Sequence, residues 1–534
     1  MKRCPKCNRL FDENSLKFCR ADGSVLVSGS LTEANTIFFS GAQPIAHTPP
    51  RPLPDTPSSI AVLPFRNLTP DPANESFCVG LADALVDALS RLENLKVVSG
   101  VAAVSSDGKD VDVRALGRTL NVEMVLEGSM RRSKNKLRIT VQLVSAADGF
   151  QVWSERYDRL LSETTDVPAD VALAVVQALE VTLRCPERAA VSKRQTENSK
   201  AHELYLRGRL HVSEFTVEGF KTGVDYLNQA IAIDPNHALA YAGLADAYHH
   251  VSSFHLRPAE SLPQVKAAAE KALALDQNLA EAHALLALVK ANYDRRPQEA
   301  ETGFKRALEL APNSLLAHRL YGSYLMTQGR LAAAIAEFCR AKELDPLSPI
   351  LSVLTSIAYF FAREPQHALK HARTALAADE NFWLGYWSAA LAHEQFGELL
   401  EALGQLEKAG DRESSPWITA LRARLYAKLG KREIARVILH DVNKRAATEW
   451  VAPYLVASVY FALGEIDQGF QWLETAFDEF DENLNFMAVD PILDSLRNDP
   501  RYISLLDRAG LEHSFAKTHF VVPVSADCRA ATRL

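Results

Sequence analysis

The residues best suited to do chemistry stand at the start of the chain. Cys4-Pro-Lys-Cys7 is followed, after eleven residues, by Cys19-Arg-Ala-Asp22. Two thiolates held on a tight turn can face one cation, and a second such turn closes a tetrahedron around it. Lys2, Arg3, Lys6 and Lys17 partly offset the charge of that cluster. The spacing predicts one structural zinc ion, Zn2+, held by Cys4, Cys7, Cys19 and Asp22, with the carboxylate standing where a fourth thiolate is usual. Free thiols are the alternative.

Other candidates carry less. His249-His250, with His255 close by, invites a metal, but neighbours on a helix point about 100° apart and cannot easily share one ion. Arg131, Arg132, Lys134, Lys136 and Arg138 make a basic hairpin, read either as an anion patch or as charges that guard a sheet edge. No Gly-x-x-x-x-Gly-Lys or Gly-x-Gly-x-x-Gly phosphate cradle follows any strand of that region. Cys78 and Cys185 have no adjacent His or Cys and read as buried thiols.

These residues must be held by elements, and the second half of the chain shows how. Small residues recur at Ala230, Ala272, Ala307, Ala341, Ala375, Ala409, Val442 and Ala476, with a period close to 34. A second ladder runs through Gly223, Ala300, Ala334, Ala368, Ala402, Ala435 and Gly469. A third runs through Ala245, Ala287, Gly322, Ser356, Ala390, Ala423 and Ala457. Two helices cross closely only where both present little side chain, so this period marks an array of helical hairpins. Asp234-Pro235, Ala311-Pro312 and Asp345-Pro346 end the second helix of three units. On the ladders and on Gly322, Gly329, Ala334, Phe338, Ala341 and Pro346, the region resembles the tetratricopeptide repeat family, with seven to eight units over 200–482.

Residues 59–185 have another texture. Ile60 to Phe65 is an apolar run of strand type, Phe77, Leu81, Leu85 and Leu89 recur at helical spacing, and Leu137, Ile139, Val141 and Leu143 alternate. The reading is β-α-β-α-β-β-β-α, a mixed sheet with helices against it. Ile-Ala-Val-Leu-Pro-Phe at 60–65, Gly80-Leu-Ala-Asp83, Val125 to Ser129 and Trp153 to Asp158 resemble the TolB amino-terminal-like domain, also seen in FlgO-type proteins. That resemblance brings no catalytic residues.

The chain is therefore expected to be multidomain. A small zinc ribbon (1–26) and a proline-rich linker (27–58) precede the α/β mixed-sheet domain (59–185). An all-α tetratricopeptide solenoid (200–482), a cap (483–511) and a disordered tail (512–534) follow. The net charge of −7 argues against a general polyanion binder, no apolar run spans a membrane, and no secretory leader is visible, so a cytoplasmic protein is expected.

Carried over residue by residue, the repeat family's concave positions include Leu316, Arg319, Val353, Ile357, Phe360, Leu384, Trp387 and Leu391. Such an apolar groove suits a peptide or protein partner; the alternative is that a neighbouring segment of the chain, such as the carboxyl-terminal tail, already covers it. The expected function is a non-catalytic interaction scaffold with no small-molecule substrate. A nucleic-acid-linked regulator using the ribbon and the basic hairpin is the other reading.

Overall fold

The computed structural model describes residues 2–3, 10–11, 58–69, 74–100, 112–133, 136–160, 167–179, 196–212, 216–254, 256–410 and 415–511. The chain divides into two units, 1–53 and 54–534. In the first, β1 (Lys2–Arg3) pairs antiparallel with β2 (Leu10–Phe11), Lys2 opposite Phe11. The expected ligands Cys4, Cys7, Cys19 and Asp22 lie outside the described residues, as do Cys185 and the tail beyond 511.

The second unit begins with a six-stranded mixed sheet. Its strands are β3 (Ser59–Val62), β4 (Arg66–Asn67), β5 (Lys96–Ser99), β6 (Met124–Ser133), β7 (Lys136–Ser145) and β8 (Gln151–Leu160). Their order is β5-β3-β6-β7-β8, with β4 added beside β6. β3 runs parallel to β5 and β6, and β6, β7 and β8 form an antiparallel meander. Helices α1 (Glu75–Leu89), α2 (Val113–Leu120) and α3 (Val167–Ala178) cover it. The alternation along β3 decides the layers. Ile60 and Val62 pack with α1 and α3, whereas Ala61 and Leu63 pack with Leu116 and Leu120 of α2.

Among the described residues, sixteen helices follow as eight antiparallel hairpins. The first four are α4 (Ser199–Val212) with α5 (Val217–Ile233), α6 (Ala238–Phe254) with α7 (Pro258–Leu275), α8 (Ala280–Asn292) with α9 (Pro297–Leu310), and α10 (Leu315–Thr327) with α11 (Leu331–Leu344). The rest are α12 (Pro349–Phe361) with α13 (Pro365–Ala378), α14 (Trp383–Phe396) with α15 (Leu399–Gly410), α16 (Pro416–Lys428) with α17 (Arg432–Arg445), and α18 (Pro453–Leu463) with α19 (Ile466–Asp478). Two 3-10 turns, Glu482–Phe486 and Pro491–Leu496, and α20 (Pro500–Ala509) complete the described chain.

Every residue of the first ladder, from Ala230 to Ala476, is wholly buried. The crossings leave no room: a Cβ added at Gly322 would lie 2.6 Å from a ring carbon of Phe338, and one at Gly223 would lie 2.9 Å from the Gly208 carbonyl. The result is a helical solenoid with one continuous core from Leu204 to Leu425. Among the described residues, no helix is long and apolar enough to cross a membrane.

Candidate functional site

The expected groove is present as a set of positions but not as an open apolar surface. Val353, Phe360, Leu384, Trp387 and Leu391 are all buried, Leu316 and Ile357 are half-buried, and Arg319 points into a charged interior. Trp387 meets Trp417 edge-on at 5.3 Å. Around hairpin five a second cause of burial is that the chain folds back on itself. Residues 477–494 lie against hairpins two, three and five, and Phe486 and Val489 join the core to which the groove residues belong.

The contacts that close the array are specific. Arg257 at the α6–α7 turn pairs with Glu479 at 3.1 Å. Arg295 at the α8–α9 turn donates to the Phe477 carbonyl at 2.6 Å and stacks 3.5 Å from that ring's centroid. Tyr293 lies 4.5 Å from Phe480, and Asn485 bonds to Asn292. Arg363 at the α12–α13 turn donates to the Val489 carbonyl at 2.7 Å and pairs with Asp494 at 2.9 Å. Phe361 stacks on Phe486 at 5.1 Å.

Arg295 and Arg363 hold left-handed backbone, φ +54° and +65°. The same turn position in other hairpins is Gly329, Gly397, Gly430 and Gly464, all with positive φ. Glycine adopts that conformation freely, whereas an L side chain there costs about 1 kcal/mol or more. At two rungs the array accepts that cost and gains a guanidinium aimed at the carboxyl-terminal segment. The signal was in the sequence: Arg295 and Arg363 fall on the 34-residue spacing of a glycine ladder. It was missed because substitution of a turn glycine carries no meaning until its contact is known.

The other edge of the solenoid holds the sheet domain. α1 crosses α4 so closely that a Cβ on Gly80 would lie 2.6 Å from Leu206. Asn313, between α9 and α10, is buried and donates to the carbonyls of Leu92 and Leu95 at 2.8 and 3.1 Å. Leu347, between α11 and α12, packs into the α2 side of the sheet.

Between these two closures lies a polar interior. α1 presents Asp83 and Asp87, one turn apart. Arg209 of α4 pairs with Glu281 of α8 at 3.4 Å, and Arg319 of α10 stands 4.0 Å from Asp246 of α6. His250 Nε2 is 3.4 Å from Asp246, and His249 Nδ1 is 3.9 Å from Glu482 of the returning segment. Burial raises Asp83 to about 6, partly opposed by Arg209. Burial and then Glu281 raise Asp87 to about 7. Burial and the neighbouring His250 push His249 down to about 3, so it stays neutral.

The two histidine rings sit 5.5 Å apart, and among the described residues no three His, Cys, Asp or Glu side chains are placed to hold one metal ion. The basic hairpin is partly engaged: Arg138 pairs with Asp158 at 2.6 Å and Arg132 donates to Asn74 at 3.1 Å.

A pH dependence follows from the acidic pair. A carboxyl whose folded pKa is raised binds more protons folded than unfolded between about pH 4 and 7, so its stabilisation is present at low pH and lost as pH rises through that window. Asp87→Asn is expected to raise stability by about 1–2 kcal/mol at pH 8 and to match the wild type near pH 4. Urea unfolding at both pH values measures it; a variant no more stable at pH 8 contradicts the placement.

Residues 56–173 match the family described as the second domain of HilA/YgeH-like transcriptional regulators. A Rhizobium meliloti protein provisionally named adenylate cyclase 3 is 34% identical over 259 residues, covering 48% of this chain and 44% of that one. This chain thus spans less than half the length of that relative. Transcriptional regulator HilA of Salmonella typhimurium is 21% identical over 421 residues, 77% of this chain and 68% of that one. Among solved structures, a tetratricopeptide repeat protein from Parabacteroides merdae is 15% identical with a TM-score of 0.34, over 46% of this chain and 93% of that one.

Proposed function

We propose that this protein is a non-catalytic interaction scaffold whose concave face takes a protein or peptide segment in exchange for its own residues 477–494. The observation that carries the reading is the way that segment is held. Phe486 stacks on Phe361, and the carbonyls of Phe477 and Val489 are gripped by Arg295 and Arg363. A peptide with spaced aromatic residues would meet the same apolar seats and the same donors. The residues at Val353, Phe360, Trp387 and Leu391 then become a partner groove only after displacement.

The test compares immobilised full-length wild type with Arg295→Gly/Arg363→Gly, which loosens the segment and leaves glycine where the backbone favours it. Saturable retention of a partner that strengthens in the variant supports the scaffold. Retention equal in both places docking elsewhere.

The match to a regulator's second domain supports a second reading, in which the same body serves a nucleic-acid-linked regulator. Zinc on Cys4, Cys7, Cys19 and Asp22 would then build a ribbon, and the β1–β2 pairing suits that reading because it brackets the first ligand pair. One zinc per chain is expected by metal analysis, and none would remove the ribbon. Salt-dependent retention on nucleic acid, falling steeply between low and physiological salt, would favour the regulator over the scaffold. The TolB-type assignment of 59–185, a cytoplasmic location and the absence of a small-molecule substrate belong to the same proposal.

A further inference from the structure

The two edges of the mixed sheet are treated differently. β5, at one edge, is packed against α11 of the solenoid. β8, at the other, is ten residues long and pairs with β7 alone among the described strands. Most of its residues are exposed, and Phe150 just before it is 73% exposed. A long edge strand invites another strand unless it is guarded, and β8 contains no proline.

Its charges are not a guard of one sign. The strand reads Glu155-Arg156-Tyr157-Asp158-Arg159. In antiparallel pairing of two copies, facing residues must share a face of the sheet, so a two-fold axis passes through a residue. An axis at Tyr157 sets Arg156 opposite Asp158 and Glu155 opposite Arg159, twice each. An axis at Glu155, Arg156 or Asp158 sets a charge against itself. Within one copy Asp158 already meets Arg138 at 2.6 Å and Arg156 at 3.5 Å; one register sets each of the four charges against an opposite charge of the second copy as well. The side chains of Arg156 and Asp158 are 62% and 52% exposed and lie on the sheet face away from α1 and α3. Arg159 and Glu155 lie on the helix side with Tyr157, where Arg159 reaches Asp170 of α3 at 3.0 Å.

We infer that β8 is a self-association edge: two copies of this chain join through antiparallel β8–β8 pairing centred on Tyr157, making one continuous sheet across the dimer. Sedimentation equilibrium of the full chain reads the result. The wild type is expected to dimerise reversibly. Arg156→Asp sets two carboxylates together across the axis and Asp158→Arg sets two guanidiniums together, so each is expected to weaken dimerisation about tenfold or more. Mixing the two variants sets the carboxylates of one copy at positions 156 and 158 against the guanidiniums of the other on both sides of the axis, so the mixture should dimerise as tightly as wild type. Unchanged circular dichroism and melting confirm folding, and Arg156→Asp, on an exposed side chain, is the milder change. A wild type that stays monomeric overturns the inference, including the case in which it takes up an unrelated strand peptide. So does a dimer that Arg156→Asp leaves intact, or a mixture no tighter than its components.

Discussion

Arg424→Ala is expected to destabilise the protein by about 3–5 kcal/mol, the largest effect of any single change considered. Arg424 of α16 and Glu394 of α14 are both buried, with Arg424 Nε 3.1 Å and Nη2 2.5 Å from the carboxylate. Burial by itself would raise Glu394, but Arg424 and then Lys428, at 2.9 Å, outweigh it and hold the carboxyl below its ordinary value. Asp490 of the returning segment adds a second buried carboxylate near Arg424 and accepts from the Tyr454 hydroxyl at 2.9 Å. Removing the guanidinium strands one carboxylate with only Lys428 and the other with only local donors. Replacing Arg424 and Glu394 together by Met and Leu should cost much less than Arg424→Ala, because no lone charge is then left buried. Chemical unfolding of the two variants decides. A single mutant within about 1 kcal/mol of wild type would show the pair to be solvated.

Ala341→Leu is expected to cost about 1–3 kcal/mol through overpacking. Ala341 is wholly buried on α11 at the rung shared with Ala307 and Ala375, beside the Gly322–Phe338 crossing. Three added carbons there must push α10 and α11 apart or drive a neighbour off its rotamer. A surface change such as Glu433→Lys, whose side chain is 87% exposed, should move stability by less than about 0.5 kcal/mol. Equal melting temperatures for the two variants would remove the ladder from the crossing points.

The ladders were legible because helix crossing leaves a mark at a fixed spacing in every unit. The sheet was legible because the apolar run of β3 marks a strand buried on both faces and the alternation along β7 marks its two sides. β4 was missed: two residues, Arg66 and Asn67, carry no periodic signal, and their pairing with Ser129 and Met130 is set by strand β6. The groove shows the limit more clearly. Spacing identified Val353 and Phe360 as concave, yet concavity does not fix exposure when the covering segment lies more than a hundred residues along the chain. Asp83 and Asp87 illustrate the same point. On α1 alone they read as an ordinary solvated pair, and only the distant Arg209 and Glu281 turn them into an interior cluster.

Residues 477–494 close the solenoid, and arginine at two glycine rungs holds them there. Hydrogen exchange on wild type and Arg295→Gly/Arg363→Gly measures this directly. The predicted result is protection of amides in 477–494 of the wild type, with exchange about tenfold or more faster in the variant, corresponding to ~1.4 kcal/mol of lost closure. Protection along α8, α9, α12 and α13 should be retained, since glycine is favoured at both turns. Unchanged protection of 477–494 in the variant would contradict that role for the two arginines.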